Sequence, residues 1–354
     1  MKGKPAKILH IVNIPWYSGL AGYAEDMADF SIKFGYEVLF AAVEGSPLME
    51  KLQKKFKSLP LHGRGPADTL RSIKTIRKAL DGVDMIFAHT GSSFFLAVGA
   101  SLFKKVRVYR VRAERGRIKK NIFNIIMHKF AAGVVAPTIG IKKIFLDFGI
   151  PENKIYYLPP VVDSDIFYPQ PLKSANTIGI VGRLDKVKGH EVLIESLPLV
   201  KEEIEDIKVI VIGDEKGVTE KDLIKKARKL GVAGSLRFMG KVKYETIPVI
   251  MGECRAGIIP SLGSEAVSRA ALEWMAAGRP VIASRVGCLE EIIINNYNGF
   301  SVYPGDSEEL GIRIIELLKV GEHNSQMAKK AEIYVRQHFT PEVYSKYLKK
   351  ILDE

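Results

Sequence analysis

Gly263–Glu291, GSEAVSRAALEWMAAGRPVIASRVGCLEE, reads as a loop, a helix and a short strand in succession. Apolar residues run from Val267 to Ala277 at helical spacing, Gly278 and Pro280 supply a stop signal, and Pro280–Ser284 has the character of a short buried strand. Glu265 falls in the loop and Glu273 in the helix, with seven residues between them. Eight steps of about 100° leave the two carboxylates roughly 80° apart if the helix begins at Glu265, so both can face one cleft. A loop entering a helix presents unpaired N–H groups and the positive end of the dipole, which suit phosphate or sugar oxygens. A carboxylate accepts two hydroxyl hydrogen bonds, which suits the vicinal diol of a ribose or a hexose. Two solvated glutamates on an ordinary helix are the alternative that spacing alone allows.

Upstream of this stretch the second half of the chain alternates strand and helix. Thr177–Val181 reads as a strand, Gly182–Gly189 (GRLDKVKG) as a turn and His190–Lys201 as a helix, and strands at Lys208–Gly213, Leu236–Met239 and Gly257–Pro260 follow. Arg183 and Lys188 flank that first turn. Two cations beside a helix N-terminus can clamp a diphosphate, each charge-assisted hydrogen bond contributing roughly 1.5–3 kcal/mol. They can also offset the charge of a leaving nucleoside diphosphate without a metal. A solvated loop is the plain alternative.

The first half has the same α/β rhythm. Lys7–Asn13 and Glu37–Val43 are strand candidates around a helix at Gly22–Phe34, with Gly19 in the turn between. The glycine pattern is not that of a dinucleotide site, so Gly19 serves either as a simple turn or as a point of close backbone approach to a ligand. Asp84–His89 is another strand, and His89 at its carboxyl end stands where doubly wound sheets bind ligands, although a lone histidine is often structural. Between the halves, PPVVDSDIFYPQPLKSAN opens with Pro159-Pro160 and lacks periodicity, which marks a domain boundary. Its Asp163-Ser164-Asp165 spells D-x-D, better read there as a turn.

The chain has 354 residues, 47% hydrophobic, enough for two domains and a large core. Residues 1–169 carry 26 Lys+Arg against 14 Asp+Glu, while residues 170–354 carry 27 against 26, so nearly all of the net +13 lies in the first half. That asymmetry implies an anionic partner for the first half only. Lys104–Lys120 holds nine basic residues and one acid, Arg110, Arg112, Arg115 and Arg117 among them, and Ile118–Phe130 follows with apolar Ile122, Phe123, Ile126, Met127 and Phe130. These residues form either a core helix beside a solvated charge run, or a surface for anionic lipid or a phosphorylated acceptor; the charge asymmetry favours the second. Nucleic acid is not expected, because no recognition motif appears. No apolar run is long enough to span a bilayer, no signal peptide is evident, and Cys254 and Cys288 fit a reducing compartment without metal-ligand spacing. A cytoplasmic protein, peripheral on the inner face of the cell membrane, is the expectation.

Taken jointly, these segments resemble the retaining GT-B glycosyltransferases of family 4. GRLDKVKGHEVLIESL is similar to that family's GRL-x-x-x-KG segment, PSLGSEAVSRAALEWMAAGRPVIASRVGCLEEII to its Glu-x7-Glu donor block, and GIPENKIYYLPPVVDSDIFYP to its interdomain linker. The resemblance implies two Rossmann-like doubly wound domains facing a cleft. Residues 1–162 would bind the acceptor, residues 163–339 the nucleotide sugar, and 340–354 would cross back to the first domain. It implies that Arg183 and Lys188 bind the donor diphosphate, Glu273 the ribose, and Glu265 the donor sugar with backbone N–H groups near Ala266, Val267 and Ser268. Val242 would lie by the base, Gly19 by the diphosphate and His89 by the transferred sugar. It also implies front-side attack by the acceptor hydroxyl, with no metal, no cofactor and no protein nucleophile. Glu265-Ala266-Val267 departs from the family's common Glu-Gly-Phe, Pro160-Val161 replaces its Asn-Gly, Cys288 stands where a glycine is common, and Arg269 is a cation able to reach an anionic sugar or simply to lie on the surface. The function expected is addition of a sugar to a saccharide or lipid-linked saccharide of the cell envelope or lipopolysaccharide. A soluble small-glycoside synthase, an epimerase of the same fold, or, less in keeping with the charge, a nucleic-acid binder are the other readings.

Overall fold

The computed structural model describes residues 6–63, 65–114, 116–263, 265–319 and 321–354, with the backbone alone at 321–324. The chain forms two compact units, Met1–Pro160 with Tyr344–Glu354, and Val161–Val343. Arg115 lies outside the described residues.

In the first unit the order is β1 (Lys7–Val12), α1 (Gly19–Lys33), β2 (Glu37–Val43), α2 (Pro47–Leu52), β3 (Lys57–Leu61), α3 (Pro66–Ala79), β4 (Val83–Ala88), α4 (Gly91–Ser101), β5 (Arg107–Val111), α5 (Ile122–Lys129), β6 (Gly133–Ala136), α6 (Ile139–Phe148) and β7 (Ile155–Tyr157). The strands form one parallel sheet in the order β3-β2-β1-β4-β5-β6-β7. Strands covered on both faces need unbroken apolar runs, which is why KILHIV, EVLFAAV and VDMIFA are buried almost throughout. Pro60 is tolerated because β3 is an edge strand.

The second unit runs β8 (Thr177–Val181), α7 (His190–Glu203), β9 (Lys208–Ile212), α8 (Glu220–Lys229), β10 (Leu236–Gly240), α9 (Ile247–Met251), β11 (Ala256–Ile259), α10 (Arg269–Ala276), β12 (Val281–Ser284), α11 (Leu289–Ile292), β13 (Gly299–Val302), α12 (Ser307–Lys319) and α13 (Gly321–His338). Its parallel sheet is ordered β10-β9-β8-β11-β12-β13. In each sheet the order reverses beside the unit's first strand, between β1 and β4 and between β8 and β11. Open α/β sheets bind ligands at such switch points, beyond the carboxyl ends of the strands.

The last helix, α14 (Pro341–Leu352), returns to the first unit, where Tyr344 packs on Phe30 with ring centroids 4.8 Å apart. Asp163 of the D-x-D sequence folds as an Asx turn, its Oδ1 accepting from the N–H of Asp165 at 3.0 Å. Two glycines set the depth of α10. A Cβ on Gly179 of β8 or Gly257 of β11 would lie 2.6 or 2.3 Å from the Trp274 ring, so their absent side chains let the indole lie on the sheet. Trp274 is thereby fully buried and fixes the helix that carries Glu273.

Candidate active site

The second unit gathers the expected donor residues around its switch point. The chain leaves β8 through Gly182–Lys188 and leaves β11 through Pro260–Ser268. These two loops are laced together: the N–H of Leu262 donates to the carbonyl of Val187 at 2.8 Å, and Gly189 takes φ +71 with its α-carbon against Pro260. A Cβ there would sit 1.8 Å from the Pro260 carbonyl oxygen, so only glycine allows the approach. The approach brings Lys188 to Glu265, where the ammonium donates to Oε1 in an ion pair. Ser261 Oγ donates to the same oxygen at 2.7 Å. Glu265 is only 3% exposed, and a carboxylate so buried stays in place because these two donors satisfy it.

Gly287 holds the backbone of Glu265 from the other side. Its φ is +64, the carbonyl of Glu265 accepts from the N–H of Cys288 at 2.6 Å, and a Cβ on Gly287 would stand 1.9 Å from that oxygen. The N–H of Ser268 donates to Cys288 Sγ at 3.2 Å. That amide, expected to be offered to a sugar along with those of Ala266 and Val267, is therefore engaged by the protein.

Arg183 lies in the same turn as Lys188, partly exposed and 3.8 Å from Asp185. Helix α10 begins at Arg269, two residues later than the apolar pattern suggests, so Glu273 stands little more than one turn inside it. Its Oε1 accepts from Tyr244 Oη at 2.9 Å and lies 3.9 Å from Arg269 Nε, while Arg269 Nη2 donates to the same hydroxyl at 3.2 Å. Burial pushes the Glu273 carboxyl above its ordinary pKa, against the opposing pull of Arg269 and the Tyr244 hydrogen bond. Burial and the neighbouring Glu273 hold the Tyr244 phenol protonated well past its usual range. Arg269 thus belongs to this trio. Val242 is half-buried just after β10, packed against the core under α10.

The first unit builds a polar switch point of its own. Gly19 is the first residue of α1, behind the N-cap Ser18. The N–H of Asn13 donates to Ser93 Oγ at 3.0 Å, tying the end of β1 to the start of α4. Asn13, His62, Thr69, Ser72, Ser92 and Phe95 line a pocket of about 360 Å³ beside it. His89 is buried and meets His10 of β1, Nε2 to Nδ1 at 2.9 Å, while His10 stacks between Phe40 and Phe87. Burial lowers both pKa values, that of His10 to about 3, so the pair is neutral and shares one ring proton in its hydrogen bond.

Of the cations grouped above as an acceptor or membrane surface, Arg117 is exposed but Arg110 and Arg112 are buried, at 6% and 7% exposure, which corrects their placement on that surface. Arg110 lies in β5, which is buried on both faces, and donates from Nη1 to His128 Nε2 at 2.7 Å; His128 Nδ1 donates to the Asn124 carbonyl at 2.7 Å. Burial brings the Arg110 guanidinium down to about 10. Arg112 ties its own loop through the carbonyls of Glu114 and Gly116.

Sequence reasoning did not reach His10, Ser261, Tyr244 or the role of Gly287. A histidine inside an otherwise apolar strand was the one signal for His10; Tyr244 and Gly287 become visible only when distant loops meet, and Ser261 only when its own loop folds back on Glu265.

Comparison with known proteins gives the family and the fold. Residues 17–166 match the family described as Glycosyltransferase Family 4 and residues 164–334 the one described as Glycosyl transferases group 1. The chain belongs to these glycosyltransferases. An uncharacterized glycosyltransferase of Methanocaldococcus jannaschii is 27% identical over 267 residues, 71% of this chain and 72% of that one. A GDP-mannose-dependent alpha-(1-6)-phosphatidylinositol monomannoside mannosyltransferase of Mycobacterium tuberculosis is 28% identical over 185 residues, 48% of each chain. Of several other curated relatives, including a second glycosyltransferase of that archaeon, the chain spans about half of the length or less. HepE of Anabaena, crystallised with UDP, superposes with TM-score 0.85 at 19% identity over 98% of this chain and 99% of that one. A glycosyltransferase of Rickettsia africae superposes with TM-score 0.83 at 21% identity over 99% and 97%. Both likenesses speak for the GT-B fold.

Proposed function

We propose that this glycosyltransferase takes its sugar from a nucleoside diphosphate sugar held by the second unit. It passes that sugar, with retention at the anomeric carbon, to a hydroxyl of a saccharide or lipid-linked saccharide of the cell envelope. The observation that carries the reading is the Lys188–Glu265 ion pair at the β8–β11 switch point, with Arg183 in the turn that carries Lys188. Arg183 and Lys188 are the cations for the two phosphates. Glu265 accepts from hydroxyls of the sugar, and Glu273, kept in place by Tyr244 and Arg269, accepts from the ribose diol.

Without donor, Lys188 neutralises Glu265. A diphosphate competes for the ammonium, and Glu265 then exchanges it for sugar hydroxyls while keeping Ser261. Donor binding and release of the carboxylate are in this way one event. In the chemical step the acceptor oxygen bonds to the anomeric carbon on the face from which the diphosphate oxygen departs. The hydroxyl proton goes to that phosphate oxygen, so the two cations meet charge as it develops and no metal is called on. The base would lie near Val242. HepE, crystallised with UDP and with UDP-glucose, and the mycobacterial relative named for a phosphatidylinositol mannoside acceptor both support this reading by analogy.

A thermal-shift panel of UDP-, GDP-, ADP- and CMP-sugars tests it. A donor at about 100 times its Kd stabilises by about 2.7 kcal/mol, and the shift should vanish in an Arg183→Ala/Lys188→Ala double variant. A shift that survives in the double variant would place the diphosphate elsewhere.

A further inference from the structure

Helix α5 turns its apolar side away from the protein. A crossover helix on a parallel sheet ordinarily buries its apolar stripe against the strands. Here the sheet side is taken by Met127 and His128, with Asn124 half-buried. Ile122, Ile126 and Phe130, one turn apart, stand outward with Phe123 and Ile125 on their flanks, an arc of about 160° on a helical wheel. Ile122 is 71% exposed and Phe123 53%. The patch continues onto α4, because Phe95 packs on Phe123 with ring centroids 5.9 Å apart. Just past α4, Phe103 is fully exposed and held at φ +63, a left-handed backbone unusual for so large a residue. Single exposed hydrophobic residues are normal, but a continuous helical face of them marks a contact surface.

The surrounding charge selects the partner. Arg117, Lys119, Lys120 and Lys129, on α5 and the segment leading into it, are exposed, as is Lys105 next to Phe103, where Lys104 is paired with Asp81 at 3.0 Å; along the sequence Glu114 is the one acid between residues 104 and 130. A second copy docked through a two-fold axis would set these cations against their own images. An anionic lipid surface instead draws each of them, by about fivefold in partitioning per cation, while the apolar face enters the headgroup and acyl boundary to a depth of about 5–10 Å. We propose that the first unit docks on an anionic bilayer by inserting the outward face of α5, with Phe103 as a second foothold and the lysines on the headgroups. This goes beyond the reading of the donor site and does not depend on it.

The test uses the whole chain with vesicles of phosphatidylcholine alone or mixed equally with phosphatidylglycerol. The protein should co-sediment with the mixed vesicles at low salt and much less with the neutral ones. Phe123→Trp should show a blue-shifted emission on the mixed vesicles, reporting entry into the apolar zone. Ile122→Glu/Phe123→Glu should reduce binding at least tenfold; its melting temperature should fall only by the loss of the Phe95–Phe123 ring contact, and its donor-induced thermal shift should match the wild type. Equal binding to both vesicle types, no binding at all, or an unshifted Phe123→Trp emission overturns the proposal. So does a dimer, seen by light scattering, that Ile122→Glu/Phe123→Glu dissolves, since a second copy would then cover the face. A failed donor panel with these vesicle results intact would count against the donor reading alone.

Discussion

Replacing Gly287 by alanine should damage the donor site from a distance, by moving the backbone of Glu265. Two costs are separable. Alanine at φ +64 pays for a left-handed backbone, about 1–2 kcal/mol. Its Cβ would also stand 1.9 Å from the Glu265 carbonyl oxygen, where ordinary contact begins at 3.4 Å. Relief requires the backbone to retreat, at about 1–3 kcal/mol for overpacking and about 1 kcal/mol for the weakened Cys288 to Glu265 hydrogen bond. Gly45 is the matched control, with φ +65 and nothing within 4 Å of the place a Cβ would take. Gly45→Ala should therefore cost about 1–2 kcal/mol and Gly287→Ala about 3–6 kcal/mol. Urea unfolding gives the difference. Calorimetric titration of the donor should show affinity reduced by tenfold or more in Gly287→Ala and unchanged in Gly45→Ala. If the two variants matched in stability and in donor affinity, the contact between Gly287 and Glu265 would not be what fixes the carboxylate.

Glu273→Ala should raise the donor KM by about two to four orders of magnitude, because two hydroxyl hydrogen bonds to a charged acceptor are worth roughly 1.5–3 kcal/mol each. Tyr244→Phe should give a smaller rise, read in the same steady-state assay. Gly257→Val should push the Trp274 ring off the sheet, lowering stability by about 1–3 kcal/mol and donor affinity with it, as unfolding and titration would show. Acid should destabilise the fold early. His10, His89, His128 and His190 are buried with folded pKa values below the ordinary 6.5, at about 3 for His10 and about 4 for His128 and His190. Folding thus favours their neutral forms; that contribution is complete above pH 6.5 and is lost as pH falls below it, by about 1.4 kcal/mol per pH unit for each ring. Denaturation between pH 6.5 and 5 should show this slope, and His190→Asn should reduce it by one ring's share.

Much of the fold was legible because strands buried on both faces must be apolar throughout. KILHIV, EVLFAAV, TIGIV and the run before Gly213 announce themselves. The edge strand β3, with a lysine and a proline in five residues, and the four-residue β13 carry no such signal, and neither appears in the sequence reading. The onset of α10 is displaced because Glu265 and Ser268, at either end of Ala266–Val267, are held by Gly287 and Cys288 rather than by helical hydrogen bonds. For α5 the apolar pattern identified the helix but not its direction; only the inward turn of Met127 and His128 decides that the rest faces out. Of the site, Arg183, Lys188, Glu265 and Glu273 were legible as charged residues in turn and helix-start positions. Ser261, Tyr244 and His10 were not, because each acts through a partner at least four residues away that only folding supplies.

The division of labour between Lys188 and Glu265 is the core of the account, and calorimetric titration of two ligands into two variants tests it most directly. The ligands are the preferred nucleoside diphosphate sugar and the same nucleoside diphosphate without its sugar. Glu265→Gln should weaken the first ligand and, with the competitor for the Lys188 ammonium removed, leave the second as tight or tighter, whereas Lys188→Ala should weaken both. If Glu265→Gln weakened the two ligands equally, or Lys188→Ala spared the sugar-free one, the diphosphate and the sugar would not be held where this structure puts them.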